Sequence, residues 1–152
     1  MLFKILRYQY YDETIGFMQF PRDPQLGGGG RVLELLEHFI FCNSISAKAK
    51  IGAGTYFYHR GLGCVVHPKT EIGSKCTIFQ HVTIGSKWSD GICEGEAPVI
   101  GDNVMIGAGA CILGNIHVGN NVIIGCNAVV LHDVPANCVV AGNPARIVKQ
   151  YQ

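Results

Sequence analysis

Six histidines and seven cysteines hold most of the reactive chemistry in this sequence. Imidazole exchanges protons near neutral pH, so a histidine is the first candidate for a general acid or base. His59 stands in Tyr58-His59-Arg60-Gly61-Leu62-Gly63, a glycine-punctuated stretch where the surrounding regularity slips. His38 falls on an expected helix and reads as a solvated side chain. His81 and His117 occupy different slots of a repeating unit and share no column, so three imidazoles converging on a metal are not expected. The cysteines (Cys42, Cys64, Cys76, Cys93, Cys111, Cys126, Cys138) are odd in number, scattered and never spaced as CxxC. That argues for reduced thiols and a cytoplasmic setting rather than a disulfide framework. Cys76 fills a small inward slot and reads as packing. Cys93 as an acyl nucleophile would want an adjacent base, which the sequence does not announce.

The elements that must position these groups are set by a sixfold repeat. Ile100, Ile106, Ile112, Val118, Ile124 and Val130 return at every sixth position, with Val104, Ala110, Ile116, Val122, Ala128 and Val134 in a second, smaller slot. Neither an alternating strand nor an amphipathic helix keeps such residues on one face, so short strands separated by turns are required. Gly101, Gly107, Gly119 and Gly125 follow their anchors and are expected to supply turns of positive φ. The pattern predicts an all-β solenoid, a parallel β-helix. It begins weakly at Ile45 and Ile51, reaches Phe57, and slips by about three residues over Tyr58 to Val65. It then runs through Val66, Ile72, Ile78 and Ile84. The anchors vanish again before Ile100, so residues 86–98 are expected to leave the solenoid as an extruded loop, the kind of place where function sits.

Upstream, Asp12 is expected to cap a short helix over Glu13 to Met18. Gly27 to Gly30 read as a joint, since no strand precedes them and no GKS or GKT follows. Val32, Leu35, Leu36, Phe39 and Ile40 predict a helix from about Arg31 to Phe41, covering the first coil or a neighbouring chain. The expected division is therefore a short helical N-terminal segment over 1–43 and the solenoid over 44–149. Charge is nearly balanced, with 12 Lys and Arg against 11 Asp and Glu. No basic run points to nucleic acid, and neither a signal peptide nor a membrane span is expected.

Gly142 to Val148 reads GNPARIV, and Ile106 to Gly119 reads IGAGACILGNIHVG. These segments resemble the corresponding parts of hexapeptide-repeat acyltransferases, and the second is similar to serine O-acetyltransferases. The resemblance covers roughly Ile45 to Lys149 and implies a left-handed β-helix, acetyl-CoA as acetyl donor, and a homotrimer whose active site lies between chains. It implies His59 as the general base, at the family's offset from the Ile51-Gly52 anchor. For coenzyme A it implies Ala108 and Cys126 in coil turns, with Arg146 and Lys149 for phosphate charge. Trp88 is expected either to stack on the adenine or to pack locally, and Leu131 and His132 replace a Thr-Lys pair of sugar acetyltransferases.

The sequence also departs from serine acetyltransferases. That family pairs its histidine with an Asp which aligns on Ser44, and has a second active-site histidine where Ala97 stands. The extruded-loop carboxylates Asp90, Glu94 and Glu96 are candidates to replace the missing acid, with Asp90, Glu94 and His81 as acceptor-binding candidates. The long helical N-terminal domain and the terminal Ile of those enzymes have no counterpart in this sequence. An acetyl-CoA-dependent O-acetyltransferase acting on a sugar hydroxyl in surface-polysaccharide synthesis is the expected function. A serine acetyltransferase, an amino-sugar acceptor and a catalytically silent scaffold stay open.

Overall fold

A computed structural model describes residues 10–12, 17–19, 39–40, 42–89, 92–93 and 95–151. From Ser44 onward the chain winds into a left-handed parallel β-helix of triangular section. Face 1 stacks β3 (Ser44–Ile45), β6 (Val65–Val66), β9 (Thr83–Gly85), β14 (Cys111–Leu113) and β17 (Val129–Val130). Face 2 stacks β4 (Lys50–Ile51), β7 (Glu71–Ile72), β12 (Val99–Ile100) and β15 (His117–Val118), extended by a bridge from Val118 to Val134. Face 3 stacks β5 (Tyr56–Phe57), β8 (Thr77–Ile78), β13 (Met105–Ile106), β16 (Ile123–Ile124) and β18 (Cys138–Ala141). β19 (Arg146–Gln150) folds back antiparallel on β18.

The anchors point inward as the repeat requires. Ile78, Ile84, Ile106, Ile112 and Ile124 are fully buried, and Val104, Ala110, Val122 and Ala128 fill the spaces between them. Only Ile51, in the first coil, stays half-buried. Pairing offsets measure both interruptions. Lys50 pairs with Glu71 at a separation of 21 residues, whereas Asp102 and Asn120 are 18 apart. The excess of three is the Tyr58 to Val65 slip. Across the second break, Ser74 and Asp102 are 28 apart, so ten extra residues leave the prism after Gly85. Part of this loop is an antiparallel hairpin, β10 (Trp88–Ser89) with β11 (Ile92–Cys93). Lys69 Nζ lies 4.0 Å from Glu96 Oε1, bringing the loop's end against the edge between faces 1 and 2.

The repeat glycines do not do what was expected of them. Gly101, Gly107, Gly119 and Gly125 are absent from the positive-φ positions. A Cβ on Gly107 would instead sit 2.6 Å from Cys126 N in the next coil, and one on Gly119 would sit 2.5 Å from Ala136 N. Close approach of successive backbones is what demands glycine there. The left-handed corners fall two positions later, at Asn103, Gly109, Asn121 and Asn127 with φ of 54, 72, 56 and 56°, and Asn137, at 58°, turns a further corner in the last coil. Asparagine tolerates this region better than other side chains. Between faces 2 and 3, Asn103, Asn121 and Asn137 form a ladder, Asn103 Nδ2 donating to Asn121 Oδ1 and Asn121 Nδ2 to Asn137 Oδ1, both at 2.9 Å. Asn121→Ala loses both bonds and keeps the strained φ. It is expected to lower the unfolding free energy by about 2 kcal/mol, measured by chemical denaturation, with Asn121→Gly recovering the backbone share alone.

Near the N-terminus, β1 (Tyr10–Asp12) pairs antiparallel with β2 (Phe17–Gln19). The helix expected through Met18 is therefore replaced, at Phe17 and Met18, by a strand, the aromatic content of Tyr10, Tyr11 and Phe17 favouring extended backbone over a capped turn. Of the helix expected over 31–41, only Phe39 and Ile40 are described, and both are helical. The Gly27 to Gly30 joint and His38 lie outside the described residues.

Candidate functional site

The prism edge between faces 3 and 1 gathers most of the candidate groups. The chain turns this edge once per coil, immediately after the face-3 anchors Phe57, Ile78, Ile106, Ile124 and Val140. His59 turns it in the first coil, His81 in the second, Ala108 in the third and Cys126 in the fourth. Backbone bonds stitch the levels together: His81 N donates to Leu62 O at 2.8 Å, Gly109 N to Gln80 O at 3.0 Å, and Asn127 N to Ala108 O at 2.9 Å. Coils stack at strand spacing, so the four levels span roughly 14 Å. His59, His81 and Cys126 are exposed along this edge, and Ala108 is half-buried.

The slip of three residues gives His59 an unusual setting. His59, Arg60 and Gly61 have φ of 51, 59 and 67°, a run of three left-handed residues. Each such non-glycine residue costs about 1–2 kcal/mol, which neighbouring groups must offset. Asn43, almost fully buried, donates from Nδ2 to Arg60 O at 3.1 Å. Gly61 packs so close that a Cβ would lie 3.0 Å from Ile45 Cδ1. Gly63, at φ 65°, lies under the His81 ring, where a Cβ would fall 2.1 Å from Nδ1. Tyr58 stacks on Phe79 with ring centroids 4.6 Å apart and planes 3° from parallel. The second coil's Phe79-Gln80-His81 corner therefore clamps the turn that carries His59.

No hydrogen bond from another described side chain reaches the His59 imidazole. Ser44, where the resemblance would place an acid, is exposed on face 1. Its neighbour Asn43 is the side chain that reaches the turn, a contribution that the sequence reading missed because position 43 precedes the first clear anchor. Ala97 is buried, against Pro98 at the end of the extruded loop. Asp90 and Glu94 lie outside the described residues. Glu96 is on the other edge of face 1, beside Lys69.

At the foot of the candidate edge, Arg146 is exposed and pairs across from Ala141. Lys149 pairs with Val139 instead, about 10 Å further along the strand. Its ammonium lies 4.7 Å from the Tyr151 ring centroid, and Tyr151 N donates to Asn137 O beneath the asparagine ladder. The structure thus brings Arg146 to the edge and leaves Lys149 toward a different one. Trp88 is 68 % exposed on the loop hairpin. His117 projects from face 2, away from His81, and no cluster of metal-ligating side chains occurs among the described residues. A shallow groove of about 330 Å³ lined by Lys50, Gly52, Glu71, Gly73 and Val99 lies on face 2, across the prism from the His59 edge.

The cysteine thiols add little. Cys64 and Cys76 are buried, and burial pushes both above the usual thiol value. Cys76 Sγ donates to Gly101 O at 3.2 Å, as a packed, protonated group does. No helix among the described residues is long and apolar enough to cross a membrane.

Comparison with known proteins agrees with this architecture. Residues 97–132 match the family "Bacterial transferase hexapeptide (six repeats)". A serine acetyltransferase of Synechococcus elongatus is 40% identical over 119 residues, covering 78% of this chain and 47% of its own. A serine acetyltransferase structure in complex with cysteine superposes with a TM-score of 0.73 at 41% identity, over 80% of this chain and 46% of that one. Another, in complex with CoA, gives 0.67 at 42% identity, over 76% of this chain and 46% of that one. The chain thus spans about half the length of these relatives. With its sixfold anchors and stacked coils, the chain carries the hexapeptide repeat of bacterial transferases over residues 97–132, and serine acetyltransferases are relatives it resembles along most of its length.

Proposed function

We propose that this protein is an acetyl-CoA-dependent O-acetyltransferase that moves an acetyl group onto a hydroxyl of a small acceptor. The observation that carries it is the sharing of one prism edge by His59, Ala108 and Cys126. A thioester arm laid along the Ala108 and Cys126 turns, with Arg146 meeting phosphate charge, runs toward the only imidazoles on that edge among the described residues. In the reaction the acceptor oxygen attacks the thioester carbonyl while His59 takes its proton. The tetrahedral intermediate needs hydrogen-bond donors, most simply backbone N–H groups of the glycine-rich turns. Collapse breaks the C–S bond, and the proton returns from His59 to the departing coenzyme A thiolate. A homotrimer with this edge facing a neighbouring chain is part of the proposal.

The names of the relatives favour serine as acceptor. A sugar hydroxyl is the second reading, favoured by Ser44 and Ala97, which replace the acid and the second histidine implied by the resemblance. A thiol-release assay with acetyl-CoA, serine and a set of sugars tests both. Turnover above the rate of acetyl-CoA hydrolysis with any acceptor is expected. Release that no acceptor accelerates would favour a silent scaffold.

A further inference from the structure

The turn that carries His59 is held from behind by the residues that open the solenoid. Cys42 O accepts from Gly63 N at 2.9 Å and Ser44 N donates to Cys64 O at 2.8 Å. Between them, Asn43 sends its side chain into the turn. It is 3 % exposed, and its Nδ2 reaches Arg60 O at 3.1 Å, across 17 residues of chain. A buried amide is costly unless it is hydrogen-bonded, and here the bond goes to the residue that follows the proposed base.

The backbone at that point explains why a fixed donor is needed. His59 and Arg60 sit at φ 51°, ψ 36° and φ 59°, ψ 27°, and in the run of three only Gly61 lacks a Cβ. Residues with a Cβ return to right-handed or extended backbone when nothing holds them in this region. Leu62 N donates to His59 O at 3.1 Å and Cys64 N to Gly61 O at 2.8 Å, but these bonds lie within the turn and would move with it. The Asn43 bond instead ties the middle of the run to the first coil. Relaxation of the run would redirect the Cα–Cβ bond of His59, and a misplacement of about 1 Å at a reacting group can cost on the order of a hundredfold in rate.

We infer that Asn43 is a positioning residue, which holds the left-handed run through Arg60 O and so aims the His59 imidazole. The inference rests on the acetyltransferase reading, with His59 as base. Its test is a double-mutant cycle of wild type, Asn43→Leu, Arg60→Gly and the two combined, with the acceptor that gives the fastest thiol release. The readouts are kcat, the KM for acetyl-CoA and thermal unfolding. Leucine fills the space of the amide and cannot donate. Asn43→Leu is expected to lower kcat about thirtyfold, with the acetyl-CoA KM within about twofold of wild type. Glycine enters the left-handed region freely, so in the Arg60→Gly background the same substitution is expected to cost no more than about threefold. Asn43→Ser, still polar but too short to span the distance to Arg60 O, passes through the same cycle and decides the matter if Asn43→Leu does not fold. A merely structural amide would lower the melting temperature and leave the kcat of the folded protein unchanged. That result, a rise in acetyl-CoA KM as large as the fall in kcat, or an equal loss in both backgrounds overturns the inference and leaves acetyl transfer standing. Wild type whose thiol release no acceptor accelerates overturns the inference together with the reading beneath it.

Discussion

His59→Asn is expected to lower kcat for acetyl transfer by about a thousandfold while leaving the fold and the affinity for acetyl-CoA nearly unchanged. Asparagine is the right replacement because position 59 sits at φ 51°. Alanine there would add left-handed strain to the loss of the base, and a fall in activity would mix the two causes. Asparagine keeps the turn and cannot take a proton at neutral pH. His59 is exposed, so its removal opens no cavity, and the melting temperature is expected to stay within a few degrees. Stopped turnover with acetyl-CoA still bound would separate a lost base from a lost site. A variant as active as wild type would remove His59 from the reaction.

The second large effect is on stability. Gly107→Ala places a Cβ 2.6 Å from Cys126 N and 2.9 Å from Gly125 C, all backbone atoms of the next coil that cannot rotate away. Relief requires the coils to part, and that strains the bonds from Gly107 N to Ile124 O at 2.8 Å and from Asn127 N to Ala108 O at 2.9 Å. The expected loss is about 3 kcal/mol, seen as a fall in melting temperature of roughly 10 °C. Gly85→Ala is the control, because nothing lies within 4 Å of a Cβ there, and it is expected to change stability by less than about 0.5 kcal/mol. The two glycines each follow a buried isoleucine anchor, so equal effects would show that intercoil approach is not what selects glycine. The damage in Gly107→Ala lies between the Ala108 and Cys126 turns, so acetyl-CoA affinity is expected to fall with it.

Much of this was legible from a repeat of six. The inward positions follow from periodicity alone, because each coil must bury the same slot against the same slot of its neighbour. Both interruptions were visible as lost anchors, and the structure measures them as three and ten extra residues. The role of the repeat glycines was not legible. A glycine required by a backbone in the next coil is indistinguishable, in one dimension, from a glycine required by its own φ. The asparagines at positive φ carried the signal for the corners, and it passed unread.

The shared edge was within reach too. Counting onward from Phe57, Ile78, Ile106 and Ile124, which all lie on face 3, puts His59, His81, Ala108 and Cys126 on one turn. Counting slots within each hexapeptide separately hides that relation. Asn43 could not be found this way, since its contact with Arg60 O depends on the path of an irregular turn. Arg146 and Lys149 are close in sequence, but an antiparallel strand running along the prism's end carries them apart. Their phosphate-binding roles stood on resemblance, and only Arg146 stays near the edge.

The most direct test is the position of coenzyme A in a crystal of the protein soaked or grown with it. The pantetheine arm is expected along the edge formed by the Ala108 and Cys126 turns, its sulfur within about 4 Å of the site where an acceptor oxygen can also reach the His59 imidazole. Coenzyme A seated in the face-2 groove lined by Lys50 and Glu71, or on the asparagine edge, would contradict it.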